Sequence, residues 1–320
     1  MNKTVSRMLT AGMVVSMAAA AGVMVSAEEY NVGICQLVQH PALDAATQGF
    51  KDALTEEFGD SISFDEQNAS GDSATCATIV NQFVSNEVDL ILANATAPLQ
   101  AAAAATDSIP ILGTSVTDFA TALDIDDWKG LTERNISGTS DLAPLDQQAA
   151  MLGELFPDAE TVGLVYCSAE PNSVYQIEVV KGYLEEAGYT CKEYGFADSN
   201  DIASVVTTAT SEADVLYIPT DNTAASNTEI INNICEPAGI PVIAGEEGIC
   251  QGCGVATLSI SYYDIGYAAG QMGIEILNGA DVSTMEVQYA PEVTKEYMAD
   301  RAEALGLTIP EDYVAIEVAE

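Results

Sequence analysis

Short continuous apolar runs, each broken by a polar turn and followed by residues at helical spacing, recur along the chain. Val88-Asp89-Leu90-Ile91-Leu92-Ala93 runs into Asn94-Ala95-Thr96-Ala97-Pro98, and Asp214-Val215-Leu216-Tyr217-Ile218 runs into Pro219-Thr220-Asp221-Asn222-Thr223. Apolar residues without alternation mark strands covered on both faces, as in a parallel sheet flanked by helices. The polar turns then fall at the carboxyl ends of strands. There helix amino-termini converge, and α/β proteins bind their ligands.

The pattern repeats at a nearly fixed offset. Tyr30-Asn31-Val32-Gly33-Ile34 matches Glu160-Thr161-Val162-Gly163-Leu164, with Val32 and Val162 130 residues apart, and Ile109-Pro110-Ile111 matches Ile240-Pro241-Val242 at 131. Matched units in the same order predict two Rossmann-like α/β lobes with parallel sheets and a cleft between facing strand ends.

In the first half, Leu43, Ala46, Phe50, Ala53 and Leu54 share one helix face. Residues 61–65 suit a second strand, 73–84 a helix, and 109–112 a strand that delivers Thr114 to Asp118 to the cleft edge. Pro98 fits a first helical turn, and 119–135 read as an irregular connection. In the second half, 162–166 feed Cys167 to Ser173, where Asn172 or Ser173 can cap a helix. Crossings near 139, over 257–263 and over 286–290 divide the chain. Residues 28–138 with 262–286 form one lobe, and 139–261 with 287–320 form the other, joined by three hinge segments.

The amino-terminal 27 residues stand apart. Lys3 and Arg7 precede an apolar run over 8–25, and Val25-Ser26-Ala27 offers small residues for cleavage, the layout of an export signal. The run is long enough for an uncleaved anchor to compete, but its many Ala and Gly residues make it weakly hydrophobic, which favours cleavage. No cysteine precedes Cys35, so no lipoprotein attachment site is expected.

At 320 residues with 48% hydrophobic content the chain can fill two cores. Removing the signal leaves seven basic residues against 49 acidic ones, a net charge of −42. Such a surface repels phosphate backbones and anionic lipid, which excludes nucleic acid as a partner. Dispersed acidic residues otherwise serve solubility.

Seven cysteines leave one unpaired, so a disulfide framework is not expected. Cys250-Gln251-Gly252-Cys253 lacks the second ligand pair of a structural zinc site, and no metal or cofactor is expected. The nucleophile-elbow, P-loop, dinucleotide and zincin motifs are all missing. A two-thiol amino-acid racemase using Cys35 and Cys167 is the remaining enzyme alternative. The two cysteines differ in strand register by two and lack the flanking Asn-Thr of that class.

Five segments carry a resemblance: 36–45 (QLVQHPALDA), 138–141 (GTSD), 170–173 (EPNS), 219–223 (PTDNT) and 262–266 (YYDIG). In this order and spacing, over about residues 30–307, the chain resembles the tryptophan/tyrosine-type substrate-binding proteins of ABC transporters. That resemblance implies the type I periplasmic binding fold, no catalysis, and a small ligand, in several members an aromatic amino acid, presented to a membrane permease. Many such proteins of single-membrane bacteria are lipoproteins, and this chain departs from that pattern in having no lipidation cysteine, so no lipid tether is expected. A monomer is expected.

The residues allow a physical version of the site. A zwitterion needs a carboxylate seat and an ammonium partner. Ser168, Glu170, Asn172 and Ser173 in one turn, and Thr220 and Asn222 in another, offer hydroxyls and helix-terminal N–H groups for the carboxylate, with Asp221 for the ammonium and Asp118 of the facing lobe as its alternative. Thr96 and Ser115 either donate to the ligand or cap their own helices. His40 borders the ligand or fixes its turn, and Gln36 and Tyr262 complete the set. Tyr166, Tyr262 and Phe119 are candidates to receive an apolar ligand side chain, or belong to the core. Burying ~150–250 Å² of aromatic surface is worth about 4–6 kcal/mol gross, against about −8 kcal/mol for micromolar affinity, so a large apolar amino acid is favoured. A sugar, nucleoside or purine bound by Asn94, Asn172 and Asn222 is the alternative.

Overall fold

The computed structural model describes residues 29–317. The expected export signal over 1–27 lies outside the described residues. Thirteen strands follow in chain order: β1 (Tyr30–Gln36), β2 (Ile62–Asn68), β3 (Leu90–Asn94), β4 (Ile111–Val116), β5 (Ile136–Ser140), β6 (Thr161–Cys167), β7 (Thr190–Phe196), β8 (Val215–Ile218), β9 (Val242–Ala244), β10 (Ala256–Ser259), β11 (Gln288–Tyr289), β12 (Thr294–Tyr297) and β13 (Val314–Ala315). They form two sheets, ordered β11-β5-β4-β3-β1-β2 and β13-β12-β10-β9-β8-β6-β7. All pairings are parallel except β10 with β12.

The central strands β3 and β8 are buried along their whole length, as their unbroken apolar runs require, because helices cover both faces of each sheet. The edge strands β2 and β7 are partly to largely exposed and carry Asp65, Glu66, Lys192 and Glu193, which discourage further pairing. Each lobe has two layers of core, one on either face of its sheet. In the first lobe Phe83, Ile91 and Leu99 pack on one face and Phe50, Leu54 and Met272 on the other; Val206 and Ile231 oppose Leu152 and Tyr217 in the second.

The chain crosses between sheets after β5, after β10 and after β11. Thr139 and Ser140, expected to open the second lobe, pair within the first sheet against Gln288 and Tyr289, which were also expected in the second lobe. Tyr262, within the expected crossing over 257–263, already begins the long helix Tyr262–Leu277. Residues 119–135 are not wholly irregular, because Asp118 caps the short helix Phe119–Leu123 by accepting from Thr121 N at 2.6 Å.

Helix Tyr262–Leu277 lies against Pro41–Phe58 with almost no separation. A Cβ on Gly266 would collide with the Ala46 carbonyl, and one on Gly49 with the Tyr263 carbonyl. The amino-termini of these two helices carry His40 and Tyr262 to the cleft. Their glycine contact therefore fixes both side chains relative to one another.

Candidate ligand-binding cleft

The carboxyl edges of the two sheets face each other, and the lobes meet closely. His40 Nε2 of the first lobe lies 3.3 Å from Asn222 Oδ1 of the second, and both residues are buried. Burial lowers the His40 pKa, so the ring is neutral near pH 7. A cavity of about 530 Å³ opens at the mouth beside Leu37, Val38 and Ala97 of the first lobe and Ala169, Pro171 and Asn222 of the second. A second, of about 360 Å³, lies on the hinge side between Pro41, Ala42, Glu246, Ser259 and Tyr262.

Around Glu170 and Asp221 the second lobe satisfies its own polar groups. Asp221 Oδ1 accepts from Ala224 N at 2.8 Å and Oδ2 from Cys167 N at 2.6 Å, so the residue expected to bind an ammonium is a buried cap inside its lobe. Burial, then the neighbouring Glu170 charge, pushes its pKa up to about 7. The seat expected for a ligand carboxylate is filled by Glu170. Its Oε1 accepts from Thr223 N (2.8 Å) and Oγ1 (2.6 Å), and its Oε2 from Asn222 N (3.0 Å) and Nδ2 (2.8 Å). Thr220 donates through N to Gln176 Oε1 and through Oγ1 to Gly245 O, Asn172 Nδ2 donates to Thr220 O, and Ser168 Oγ to Phe196 O. Ser173 is fully buried. Those bonds hold three loops together and leave little of this half for a ligand's polar end.

The first lobe and the hinge are different. Asn94 Oδ1, Ser115 Oγ, Asp141 Oδ1 and His40 Nδ1, in or after first-sheet strands, are buried polar atoms with no partner among the described residues, as are Thr257 Oγ1 of β10 and Glu296 Oε2 of β12 in the second lobe. A buried polar atom without a partner costs about 1–3 kcal/mol, so such atoms mark where a ligand or water belongs. Backbone strain coincides with them. Ala95 has φ 105° and Ser115 φ 54°, left-handed conformations unusual for residues with a Cβ. Helix Thr96–Ala105, which starts at the buried Thr96, receives no side-chain cap.

Asp141 is 3% exposed, and Tyr262 donates through its hydroxyl to Asp141 Oδ2 at 3.0 Å. Burial pushes its pKa up. Opposite, Glu246 of the second lobe accepts from Gly248 N (2.6 Å) and Ile249 N (2.5 Å), and burial pushes its pKa up to about 7. Sequence reasoning missed Asp141 as a site residue, although it closes the GTSD segment that carries the resemblance. Its place at the first crossing was the available signal.

Other expected residues stay outside this constellation. Gln36 is fully engaged with Val38 O, Asp44 and Thr47 and orders the turn after β1. Asp118 caps its own helix. Phe119 stacks on Trp128 at 6.4 Å in the core, and Tyr166 bonds Glu193 on the far side of the second sheet.

The seven thiols are all free. Burial raises the Cys167 thiol to about 11, and the hydrogen bond with Cys76 together with burial raises Cys35, the reverse of what a thiolate acid–base catalyst needs. No helix among the described residues is long and apolar enough to cross a membrane.

Two α/β lobes enclosing a polar, partly unsatisfied cleft define a solute-binding protein. Residues 31–318 match the family model described as ABC transporter substrate binding protein, and the chain belongs to that family. It is 36% identical over 291 residues to the tyrosine-binding protein of Clostridioides difficile, covering 88% of this chain and 82% of that one. Among solved structures, the ABC domain of Streptococcus pneumonia in complex with L-Trp superposes with TM-score 0.85 at 33% identity, over 89% of this chain and 97% of that one. A ligand-free, open substrate-binding protein of Clostridium difficile gives only 0.69, despite 37% identity over 91% of this chain and 100% of that one. The fold is the type I periplasmic binding fold, with the lobes arranged more like the ligand-bound relative than the open one. Proteins of this family work outside the cytoplasm with a membrane permease.

Proposed function

We propose that the protein captures an aromatic amino acid between its lobes and delivers it to the permease of an ABC importer. The observation that carries this reading is the unpartnered Asp141 Oδ1, buried at the first crossing beside Tyr262, with no cationic side chain among the described residues bonded to it. The ligand ammonium bonds Asp141, while its carboxylate takes the uncapped amino-terminus of helix Thr96–Ala105 with Ser115 Oγ beside it. The cavity of about 530 Å³ offers the apolar Leu37, Val38, Ala97 and Pro171 to the aromatic side chain. Two relatives at 36% and 33% identity, one named for tyrosine and one solved with L-Trp, support the aromatic class. A neutral sugar or nucleoside would leave Asp141 buried without a counter-charge.

In the same reading the chain is exported through residues 1–27, acts as a monomer and catalyses nothing. Calorimetric titration of the ligand-stripped mature chain with the twenty amino acids, several sugars and several nucleosides tests it. Saturable micromolar heat from tyrosine, tryptophan or phenylalanine is expected, and heat only from a sugar or nucleoside would overturn the ligand.

A further inference from the structure

We infer that Cys35 and Cys76 join in a disulfide in the exported protein, stapling β1 to helix Ser73–Ser85 beneath the lip of the cleft. The inference rests on the extracytoplasmic setting of the family, where disulfides form and persist, and not on the identity of the ligand. An odd number of cysteines argues against complete pairing but leaves room for one bridge.

Two periodicities bring the thiols together. Gly33, Cys35 and Leu37 alternate onto one face of the first sheet, and Cys76, Ile79, Val80 and Phe83 share the helix face that packs on it; all but the glycine belong to one core layer. The helix lies close over β1, since a Cβ on Gly33 would stand 2.6 Å from the Phe83 ring. The loop that leads into the helix is tied to the other end of that strand. Ala69 N donates to Gln36 O at 2.9 Å and Gly71 N to Leu37 O at 2.8 Å, Asp72 caps the helix by accepting from Thr75 N, and Cys76 N donates to Asp72 O. The helix therefore runs antiparallel to β1, with Cys76 over Cys35 and Phe83 over Gly33.

Both thiols are fully buried, and they are hydrogen-bonded to each other. No other two thiols among the described residues are bonded in this way. Cys167 Sγ donates to Ala197 O and Cys253 Sγ to Ile249 O, while Cys191 pairs with Val162 at the opposite end of β6 from Cys167. Cys235 and Cys253 line a separate cavity of about 410 Å³ in the second lobe with no bond between their sulfurs.

The direction of the bond assigns the chemistry. Cys35 donates its S–H to Cys76 Sγ: the bond, then burial, raises the Cys35 thiol, and the same bond lowers Cys76 against its burial and the nearby Asp72 charge. Cys76, in the first turns of its helix, is the attacking sulfur. Its thiolate attacks a disulfide of the export compartment, forming a mixed disulfide and expelling the oxidant's other sulfur. Cys35 then gives up its proton and attacks Cys76 Sγ, which closes the bridge and expels the oxidant's remaining sulfur. Two electrons pass to the oxidant, and its two sulfurs end as thiols carrying the two protons. Because both cysteines are buried in the finished fold, the exchange takes place as the chain folds. Leu37, Ser70, Gly71 and Ser73, all between the two cysteines in sequence, line the mouth cavity, so the bridge fixes the first-lobe lip of the cleft.

The test is refolding of the mature chain from denaturant with oxidised and reduced glutathione, beside refolding in reductant alone. Titration of the unfolded products should find two of the seven thiols lost in the first and none in the second. Cleavage after Lys51 and Lys129 puts Cys35 and Cys76 on separate peptides that hold no other cysteine, so the mass of the linked pair identifies the bridge. The bridged protein should melt ~5–10 °C above the reduced one, and Cys35→Ala or Cys76→Ala, whichever folds, should melt alike after both treatments. Seven thiols after oxidative refolding, a bridge between other cysteines in place of this one, or equal melting of the bridged and reduced protein would overturn the staple. The connectivity is read on the parent and needs neither a variant nor a ligand.

Discussion

Asp141→Asn is the substitution that separates the ligand's charge from everything else in the cleft. The amide has the same shape and keeps an oxygen for the Tyr262 hydroxyl, which now sits 3.0 Å from Oδ2, so the change deletes charge and little else. Asp141 is 3% exposed and its Oδ1 has no hydrogen-bond partner among the described residues, so an ammonium bound there as proposed would be its strongest interaction, with little access for salt to screen it. Removing one member of a buried, hydrogen-bonded charge pair costs about 2–5 kcal/mol of binding. At about 1.4 kcal/mol per tenfold, Kd should rise about 30- to 4,000-fold. The ligand-free fold should not suffer, because the amide keeps the Tyr262 hydrogen bond and removes a buried charge. The assay pairs calorimetric titration against the parent's best amino acid with thermal denaturation of the ligand-stripped protein. An affinity within about threefold of the parent, in a variant that melts at the same temperature, would refute the ammonium role.

Two further substitutions test where the structure departs from the simplest reading of its sequence. Asp221→Ala removes the acceptor for Cys167 N and Ala224 N inside the second lobe, so it should lower the unfolding free energy by about 1–3 kcal/mol and alter Kd less than about fivefold; binding lost at unchanged denaturant midpoint would return Asp221 to the ligand. Gly266→Ala drives a methyl group into the Ala46 backbone, which has nowhere to move, and the expected loss of about 1–3 kcal/mol exceeds the gain of about 1 kcal/mol in helix propensity. Denaturant unfolding reads this directly, and a variant more stable than its parent would mean that the two helices do not cross in contact.

The two sheets were legible because their central strands are buried on both faces, leaving apolar runs such as Leu90–Asn94 and Val215–Ile218 that no solvent-facing element carries. The site was legible only as an edge. An Asp at the start of a helix after a strand has two common fates, capping or binding, and the choice depends on whether other chain segments fill its oxygens. For Asp221 the deciding partners are a backbone amide 54 positions earlier and another three positions later, and for the carboxylate seat beside it the filler is Glu170, 52 positions before Asn222. No local pattern records such distant satisfaction.

Asp141 escaped notice for a related reason. The strand that leads to it, Ile136–Ser140, is buried throughout yet reads Ile-Ser-Gly-Thr-Ser, so it gives no hydrophobic signal and looks like a connection. Its hydroxyls are spent on other segments: Ser137 on Met285 O and Thr139 on Ile265 O of the returning chain, and Ser140 on Thr117 O just after β4. Those bonds let a polar strand lie in the interior without loss. They also tie the first crossing to the helix that carries Tyr262 and to the segment that leads to the third crossing. A hinge strand held by small hydroxyls rather than by apolar bulk can bring a carboxylate into the interior with one oxygen spare. The features that removed this strand from the hydrophobic pattern are thus the ones that suit it to hold a ligand's charge.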